Sequence, residues 1–191
     1  MFLLVLVSGR PGLLAGISDT TGFKDDSYFV YKVVDVLKEF IHALDLVSPL
    51  CLIGISYGGA IASLFTAKYP QYVNRLAILA APAGETCETE VFQTVRDGFK
   101  IIIVVVLNAL LSFDYPKLDD YYSTLKTIKC PTVILWGSED KLFTCNGARY
   151  FHNLIPHAEV HIIPNCGHLM ADEQPEQIAT ILTQFMGNKQ E

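Results

Sequence analysis

The sequence predicts an α/β protein with a parallel sheet of about five strands and helices on both faces. Short β-rich runs alternate with helical patterns along most of the chain, which is the order typical of parallel sheets. The 191 residues are 51% hydrophobic and only 18% charged, enough to bury one sizeable core, so we expect a single domain over residues 1–191. Residues 83–129 interrupt the alternation for longer than a normal strand connection, and we interpret them as a helical lid insertion.

Five apolar or β-branched runs are the strand candidates. The first lacks the basic flank and the cleavage site of a signal peptide, so a buried strand is the better interpretation. In chain order the predicted strands are Phe2–Val7, Leu50–Ile55, Arg75–Ala80, Thr132–Gly137 and Glu159–Ile163.

Four helices are predicted between and after these strands. The clearest has apolar residues at helical spacing, which predicts one buried face: Val30, Val33, Val34, Leu37, Phe40, Ile41 and Leu44. The others are predicted over residues 59–68, 146–154 and 175–186, two of them ended by a following proline and the last begun by one.

Composition excludes several classes of function. A net charge of −6 with scattered basic residues argues against a nucleic-acid partner. The five cysteines show no C-x-x-C spacing, which favours reduced thiols and an intracellular, cytoplasmic protein. The apolar run 101–113 is too short to span a membrane. Neither metal-ligand spacing nor a nucleotide-binding glycine motif occurs, so we expect no metal and no cofactor.

Small residues crowd around one serine at the end of the second predicted strand. In "GISYGG" the glycines flank Ser56 in the pattern G-x-S-x-G, directly before a predicted helix. A tight turn of this kind exposes the serine oxygen above the carboxyl end of the sheet. The sequence therefore predicts Ser56 as a nucleophile, with a packed helix start as the competing interpretation.

A serine nucleophile needs a base and an acid, and two later loops supply candidates. Asp140 follows the fourth predicted strand and His168 follows the fifth, so both are expected on the same rim of the sheet as Ser56. Glu139 stays open as an alternative acid, and Cys166 as a reactive thiol. The remaining histidines suit surface or packing roles: His42, His152, His157 and His161.

The three motifs together resemble the α/β-hydrolase superfamily, in particular its serine esterases and lipases. The matching pieces are "GISYGG", "LWGSED" and "PNCGHLMADEQPE", in the chain order Ser, Asp, His. The resemblance implies Ser56 as nucleophile, Asp140 as acid, His168 as base and the backbone N–H of Tyr57 as an oxyanion donor. It also implies an ester or thioester substrate cleaved through an acyl-enzyme, and the family's G-x-x-D spacing favours Asp140 over Glu139.

The beginning of the sequence departs from the family pattern. The His-Gly pair whose loop supplies the second oxyanion donor does not occur, so the fold looks shortened at this end. The missing strand would lie beside Leu50–Ile55, and we predict that Phe2–Val7 takes that place because a central strand needs a hydrogen-bonded neighbour. Gly9 or Arg10 would then offer the substitute donor. The alternative function is a catalytically weak or silent homologue that acts as a binding module.

Overall fold

The computed structural model describes residues 3–7, 30–46, 49–83 and 118–187. Within them, strands and helices alternate as predicted, and short 3₁₀ turns lie at Pro70–Tyr72 and Ser123–Thr127. The strands are β1 (Leu3–Val7), β2 (Leu50–Ile55), β3 (Val73–Leu79), β4 (Thr132–Gly137) and β5 (Glu159–Ile163). The helices are α1 (Val30–Ala43), α2 (Tyr57–Lys68), α3 (Leu118–Tyr122), α4 (Asn146–Leu154), α5 (Met170–Glu173) and α6 (Pro175–Gly187).

The described strands form one five-stranded parallel sheet in the spatial order β1-β2-β3-β4-β5. In the first pair, Leu3 lies opposite Cys51 and Val7 opposite Ile55. The prediction that the N-terminal strand occupies the place beside β2 is therefore confirmed. Since all strands run the same way, the loops after β2, β4 and β5 leave the sheet at one edge.

Helices cover both faces of the sheet, as the sequence predicts. Every residue of β2 and of β4 is buried, which is the pattern of strands with both faces covered. Gly54 faces α2, because a Cβ built on it would meet the backbone of that helix. Arg75 lies on the other face and its guanidinium stands 5.5 Å from the ring of Phe185 in α6. Opposite faces follow from the register, in which Arg75 pairs with Cys51, three residues from Gly54.

The predicted burial of Leu44 is wrong. The spacing predicts it on the buried face of the first helix, but α1 ends at Ala43 and the Leu44 side chain is 53% exposed. Asp45 adopts a positive φ of 46°, and the N–H of Leu46 donates to the carbonyl of Ile41 at 3.1 Å. This hydrogen bond closes the helix in a left-handed turn, which carries Leu44 away from the core.

Most of the predicted lid, residues 84–117, lies outside the described residues, whereas its last part packs into the body of the domain. Leu118, Tyr122 and Leu125 are fully buried. The Tyr122 hydroxyl donates to the carbonyl of Pro82 at 2.7 Å, which joins the two ends of the segment. Within the described ranges, each helix falls short of the length and apolar character that crossing a membrane requires.

Candidate active site

Ser56 occupies a strained turn between β2 and α2. Its backbone has φ 54° and ψ −125°, a conformation that costs a non-glycine residue about 1–3 kcal/mol. The N–H of Ser56 donates to the carbonyl of Leu79 at 2.8 Å, and the N–H of Gly59 donates back to the carbonyl of Ser56 at 2.9 Å. A Cβ at residue 54 would lie 2.2 Å from the carbonyl oxygen of Gly58, so only glycine lets strand and helix approach this closely.

Asp140 is held in the loop after β4 by two backbone donors. Its Oδ1 accepts the N–H of Leu142 at 2.8 Å and the N–H of Phe143 at 3.0 Å. The side chain is fully buried. Phe143 is fixed in turn, because its carbonyl accepts the indole N–H of Trp136 at 3.0 Å. These bonds leave Oδ2 of Asp140 directed at the neighbouring loop.

His168 lies in the loop after β5, which is joined to the loop after β4. The N–H of Asn165 donates to Oγ of Ser138 at 3.1 Å, and the N–H of Glu139 donates to the carbonyl of Cys166 at 2.9 Å. A Cβ at Gly137 would lie 2.3 Å from the carbonyl oxygens of Cys166 and Gly167, so the two loops touch through their backbones. The spacing between Asp140 and His168 is therefore set by backbone contacts.

The three candidate residues form one continuous row of hydrogen bonds. Nδ1 of His168 lies 2.8 Å from Oδ2 of Asp140, and Nε2 lies 3.0 Å from Oγ of Ser56. An ionised carboxylate accepts only, so Nδ1 carries the ring proton and Nε2 is left to accept the serine proton. Ser56 is 7% exposed and the His168 side chain 11% exposed, so the whole row is largely shielded from solvent.

The alternative residues lie elsewhere or have unsuitable chemistry. Glu139 is exposed, whereas the adjacent Asp140 is buried against His168. Cys166 is fully buried, and burial raises the pKa of its thiol, with the carboxylate of Glu173 adding to the effect. A thiol held in its protonated form is a poor nucleophile.

The other histidines contact groups away from Ser56. Their partners are the Tyr72 hydroxyl for His42, the Ala158 carbonyl for His152, the Cys130 carbonyl for His157 and the Glu159 carboxylate for His161.

The predicted oxyanion donors are only partly within the described residues. Tyr57 is the first residue of α2 and is 3% exposed, so its N–H belongs to the helix N-terminus beside Ser56. Gly9 and Arg10 lie outside the described residues. Val7, which pairs with Ile55, brings the chain to the sheet edge from which Ser56 projects.

A cavity of about 410 Å³ is lined by residues of α4 and β5 and of the segments next to them. Its wall includes Arg149, His152, Val160 and Ile162 and none of the three residues of the row. The predicted acyl-binding wall, residues 101–113, lies outside the described residues. No group of three or more potential metal ligands occurs in the part of the chain that the structure describes.

Two residues contact His168 or its loop that the sequence patterns do not predict, Phe143 and Glu173. The Phe143 ring lies 5.6 Å from the His168 ring at an interplanar angle of 59°. Glu173 accepts the N–H of Gly167 and the N–H of Leu169. An acidic residue five positions after the histidine, within "GHLMADE", is the only sequence signal for the second contact.

The chain is similar in sequence to a known family and to several curated proteins. The sequence model described as the alpha/beta hydrolase fold matches residues 14–97 and 93–175. Monoacylglycerol lipase ABHD6 of Mus musculus is 24% identical over 223 residues, covering 92% of this chain and 66% of the relative. Monoacylglycerol lipase abhd6-B of Xenopus laevis is 22% identical over 213 residues, covering 86% and 63%. The chain thus spans roughly two thirds of the length of these curated relatives.

Solved structures show the same fold at low sequence identity. A putative lipase from Acinetobacter baumannii AYE superposes with a TM-score of 0.77 at 20% identity, covering 98% of this chain and 85% of that one. A meta-cleavage product hydrolase from Pseudomonas fluorescens IP01, in a mutant form complexed with acetates, gives 0.76 at 18% identity, covering 96% and 89%. The family match, the parallel sheet and the strained serine turn agree, and the chain belongs to the alpha/beta hydrolase fold family.

Proposed function

We propose that this chain is a serine hydrolase that cleaves a carboxylic ester or thioester through an acyl-enzyme, with Ser56, His168 and Asp140 as its catalytic triad. The observation that carries the proposal is the row Ser56 Oγ to His168 Nε2 to Asp140 Oδ2, at 3.0 and 2.8 Å. A nucleophile, a base and an orienting carboxylate in hydrogen-bond contact form the arrangement needed for acyl transfer. Family membership and lipase relatives support hydrolase chemistry in general.

Acylation begins when His168 takes the proton of Ser56 through Nε2. The serine oxygen attacks the acyl carbon, the C=O electrons move to the carbonyl oxygen, and a tetrahedral oxyanion forms. The intermediate collapses as His168 passes the proton to the departing alcohol or thiol. Asp140 stabilises the imidazolium that exists between these steps, and its two backbone donors keep the carboxylate in place.

Deacylation repeats the sequence with water. His168 removes a proton from the water, whose oxygen attacks the acyl carbon, and Ser56 leaves with that proton as the free acid is released. The strained backbone of Ser56 favours this chemistry because a turn of this kind directs Oγ out of the carboxyl edge of the sheet, toward Nε2 of His168.

The oxyanion needs backbone donors beside Ser56. The N–H of Tyr57 at the start of α2 is the first, since helix N-termini favour negative charge. Gly9 or Arg10 would supply the second, and the pairing of Val7 with Ile55 supports this role. If only one donor acts, kcat falls by about 10²- to 10³-fold, which would give a weak hydrolase.

The substrate class we propose is an ester with an apolar acyl chain, such as a monoacylglycerol. The names of the lipase relatives support it, as does the apolar character of residues 101–113. Replacing Val105 and Leu110 by Glu is expected to raise KM for long-chain p-nitrophenyl esters more than for the acetate. Each methylene in contact with an apolar wall contributes about 0.8 kcal/mol, so the discrimination grows with chain length. Equal losses on short and long esters would assign this segment a folding role.

Labelling by a fluorophosphonate, read by intact mass, tests the nucleophile. Wild type should gain one adduct and Ser56→Ala none. Ser63→Ala is the matched control, because Ser63 lies on α2, the helix that follows Ser56, is fully buried and donates to the carbonyl of Gly59 at 2.7 Å. Labelling of the control with none of Ser56→Ala supports the proposal. Undiminished labelling of Ser56→Ala would refute it, and an unlabelled, folded wild type would favour the silent homologue.

A further inference from the structure

The carboxylate of Glu173 contacts the backbone on both sides of His168. Oε2 accepts the N–H of Gly167 at 2.7 Å, and Oε1 accepts the N–H of Leu169 at 3.2 Å. Both oxygens of one side chain are therefore engaged by the peptide groups that flank the proposed base. Hydrogen bonds to an ionised acceptor are about twice as strong as neutral ones.

The fold places Glu173 there through the short helix α5. The N–H groups of Asp172 and Glu173 both donate to the carbonyl of Leu169 at 2.9 Å, so the helix begins with Leu169 as its N-cap, next to His168, and turns back toward it. A Cβ at residue 167 would lie 2.8 Å from Oε1 of Glu173. Glycine at position 167 is thus what lets the carboxylate come so close.

The histidine loop is exposed where Glu173 holds it. Leu169 is 55% exposed, so its side chain does little to anchor the loop in the core. Asn165, at the other end of the loop, has a positive φ of 52°, which is a strained backbone conformation. A 1 Å displacement of His168 would lengthen its contacts with both Ser56 and Asp140, and misplacement of that size can cost about 10²-fold in rate.

We propose that Glu173 is a positioning residue, whose carboxylate fixes the peptide groups on both sides of His168 and so holds the imidazole between Asp140 and Ser56. The role rests on the proposed function, in which His168 is the base. Glu173 acts through the backbone and touches neither substrate nor the reacting atoms.

The substitution Glu173→Gln tests this role with little change in volume. An amide offers one acceptor oxygen, so its NH₂ group would face a backbone N–H and one of the two hydrogen bonds would be lost. Glu176→Gln is the matched control, because Glu176 lies three residues further on in the first turn of α6 and makes the same change of charge. The activity is kcat for p-nitrophenyl acetate, expressed per active site counted by fluorophosphonate titration.

The proposal predicts that Glu173→Gln lowers kcat per titrated site by about tenfold while KM stays within about twofold, with Glu176→Gln unchanged. A residue needed only for folding would lower the number of titrated sites and leave kcat per site intact. Unchanged kcat per site in folded Glu173→Gln would overturn the proposal, as would an equal loss in the control.

Amide hydrogen exchange on the wild type needs no variant and keeps the inference testable if Glu173→Gln fails to fold. The N–H groups of Gly167 and Leu169 should exchange at least about tenfold more slowly than unprotected amides, because each donates to the carboxylate. Free exchange at both positions would refute the proposed positioning role of Glu173. An unlabelled and inactive wild type would instead refute the proposed function, while the exchange experiment would still decide whether Glu173 holds the loop.

Discussion

The substitution Asp140→Asn should nearly abolish activity without unfolding the protein. Asn retains one side-chain oxygen, which is enough to accept the N–H groups of Leu142 and Phe143 that Oδ1 of Asp140 accepts at 2.8 and 3.0 Å. The amide NH₂ group then replaces Oδ2, the atom that lies 2.8 Å from Nδ1 of His168. The loop keeps its internal hydrogen bonds, and only the partner of the imidazole changes.

The expected loss follows from the tautomer of His168. An NH₂ group donates, so it favours the tautomer in which Nδ1 accepts and Nε2 carries the proton. A protonated Nε2 cannot take the proton of Ser56, which lies 3.0 Å away. The same change in a serine protease lowers kcat by about 10⁴-fold, equivalent to about 5 kcal/mol of transition-state stabilisation. We expect a loss of that order here.

Steady-state hydrolysis of p-nitrophenyl butyrate gives kcat, and thermal unfolding checks that the variant is folded. Glu139→Gln is the matched control, because it makes the same change of functional group at the adjacent, exposed residue. We expect the control to stay within about twofold of wild type. Retention of more than a tenth of the wild-type kcat by Asp140→Asn, or a large loss in Glu139→Gln, would refute the assignment of the acid.

Three further predictions concern the turn, the thiols and the first strand. Gly54→Ala should lower the free energy of unfolding by about 3 kcal/mol or more, because its Cβ would lie 2.2 Å from a backbone carbonyl oxygen. In the same chemical denaturation experiment Gly187→Ala should be neutral, because nothing lies within 4 Å of its Cβ. Burial raises the pKa of the Cys166 thiol, so iodoacetamide should alkylate the exposed Cys145 first and Cys166 only at higher pH, where its thiolate forms. Equal alkylation rates of the two thiols near pH 7, measured by peptide mapping, would contradict this. Deleting residues 1–10 removes the strand that pairs with β2 and should abolish ester hydrolysis, and a deletion variant that stays folded and fully active would exclude an oxyanion donor in that segment.

The residues of the candidate site are readable from the sequence because each follows a strand. Ser56, Asp140 and His168 directly follow or closely trail the ends of three parallel strands, and parallel strands bring their carboxyl ends to one edge. The position of β1 is predictable for a different reason. Without a neighbouring strand on that side, β2 would leave its backbone N–H and C=O groups without hydrogen bonds. The first inference needs only the order of the elements, whereas the second also uses the strand order that the resemblance to the α/β-hydrolase superfamily implies.

Other features depend on geometry that a linear pattern does not contain. The contact of Glu173 with the peptide groups around His168 requires the tight turn into α5, which has only four residues and no apolar period. The exposure of Leu44 depends on the backbone conformation of Asp45, and apolar spacing alone predicts the opposite. The burial of Tyr122 is likewise not predictable from the sequence pattern, because it depends on a contact with Pro82, which is distant in the sequence.

Trapping the acyl-enzyme formed from an ester tests the central claim most directly. The protein is mixed with p-nitrophenyl acetate, quenched in acid within milliseconds, digested and mapped by mass spectrometry. The account predicts an acetyl group on the peptide that contains Ser56, formed as fast as the first turnover of p-nitrophenol and absent from Ser56→Ala. Hydrolysis that continues with no acetyl group on Ser56, or with the group on another residue, would contradict it.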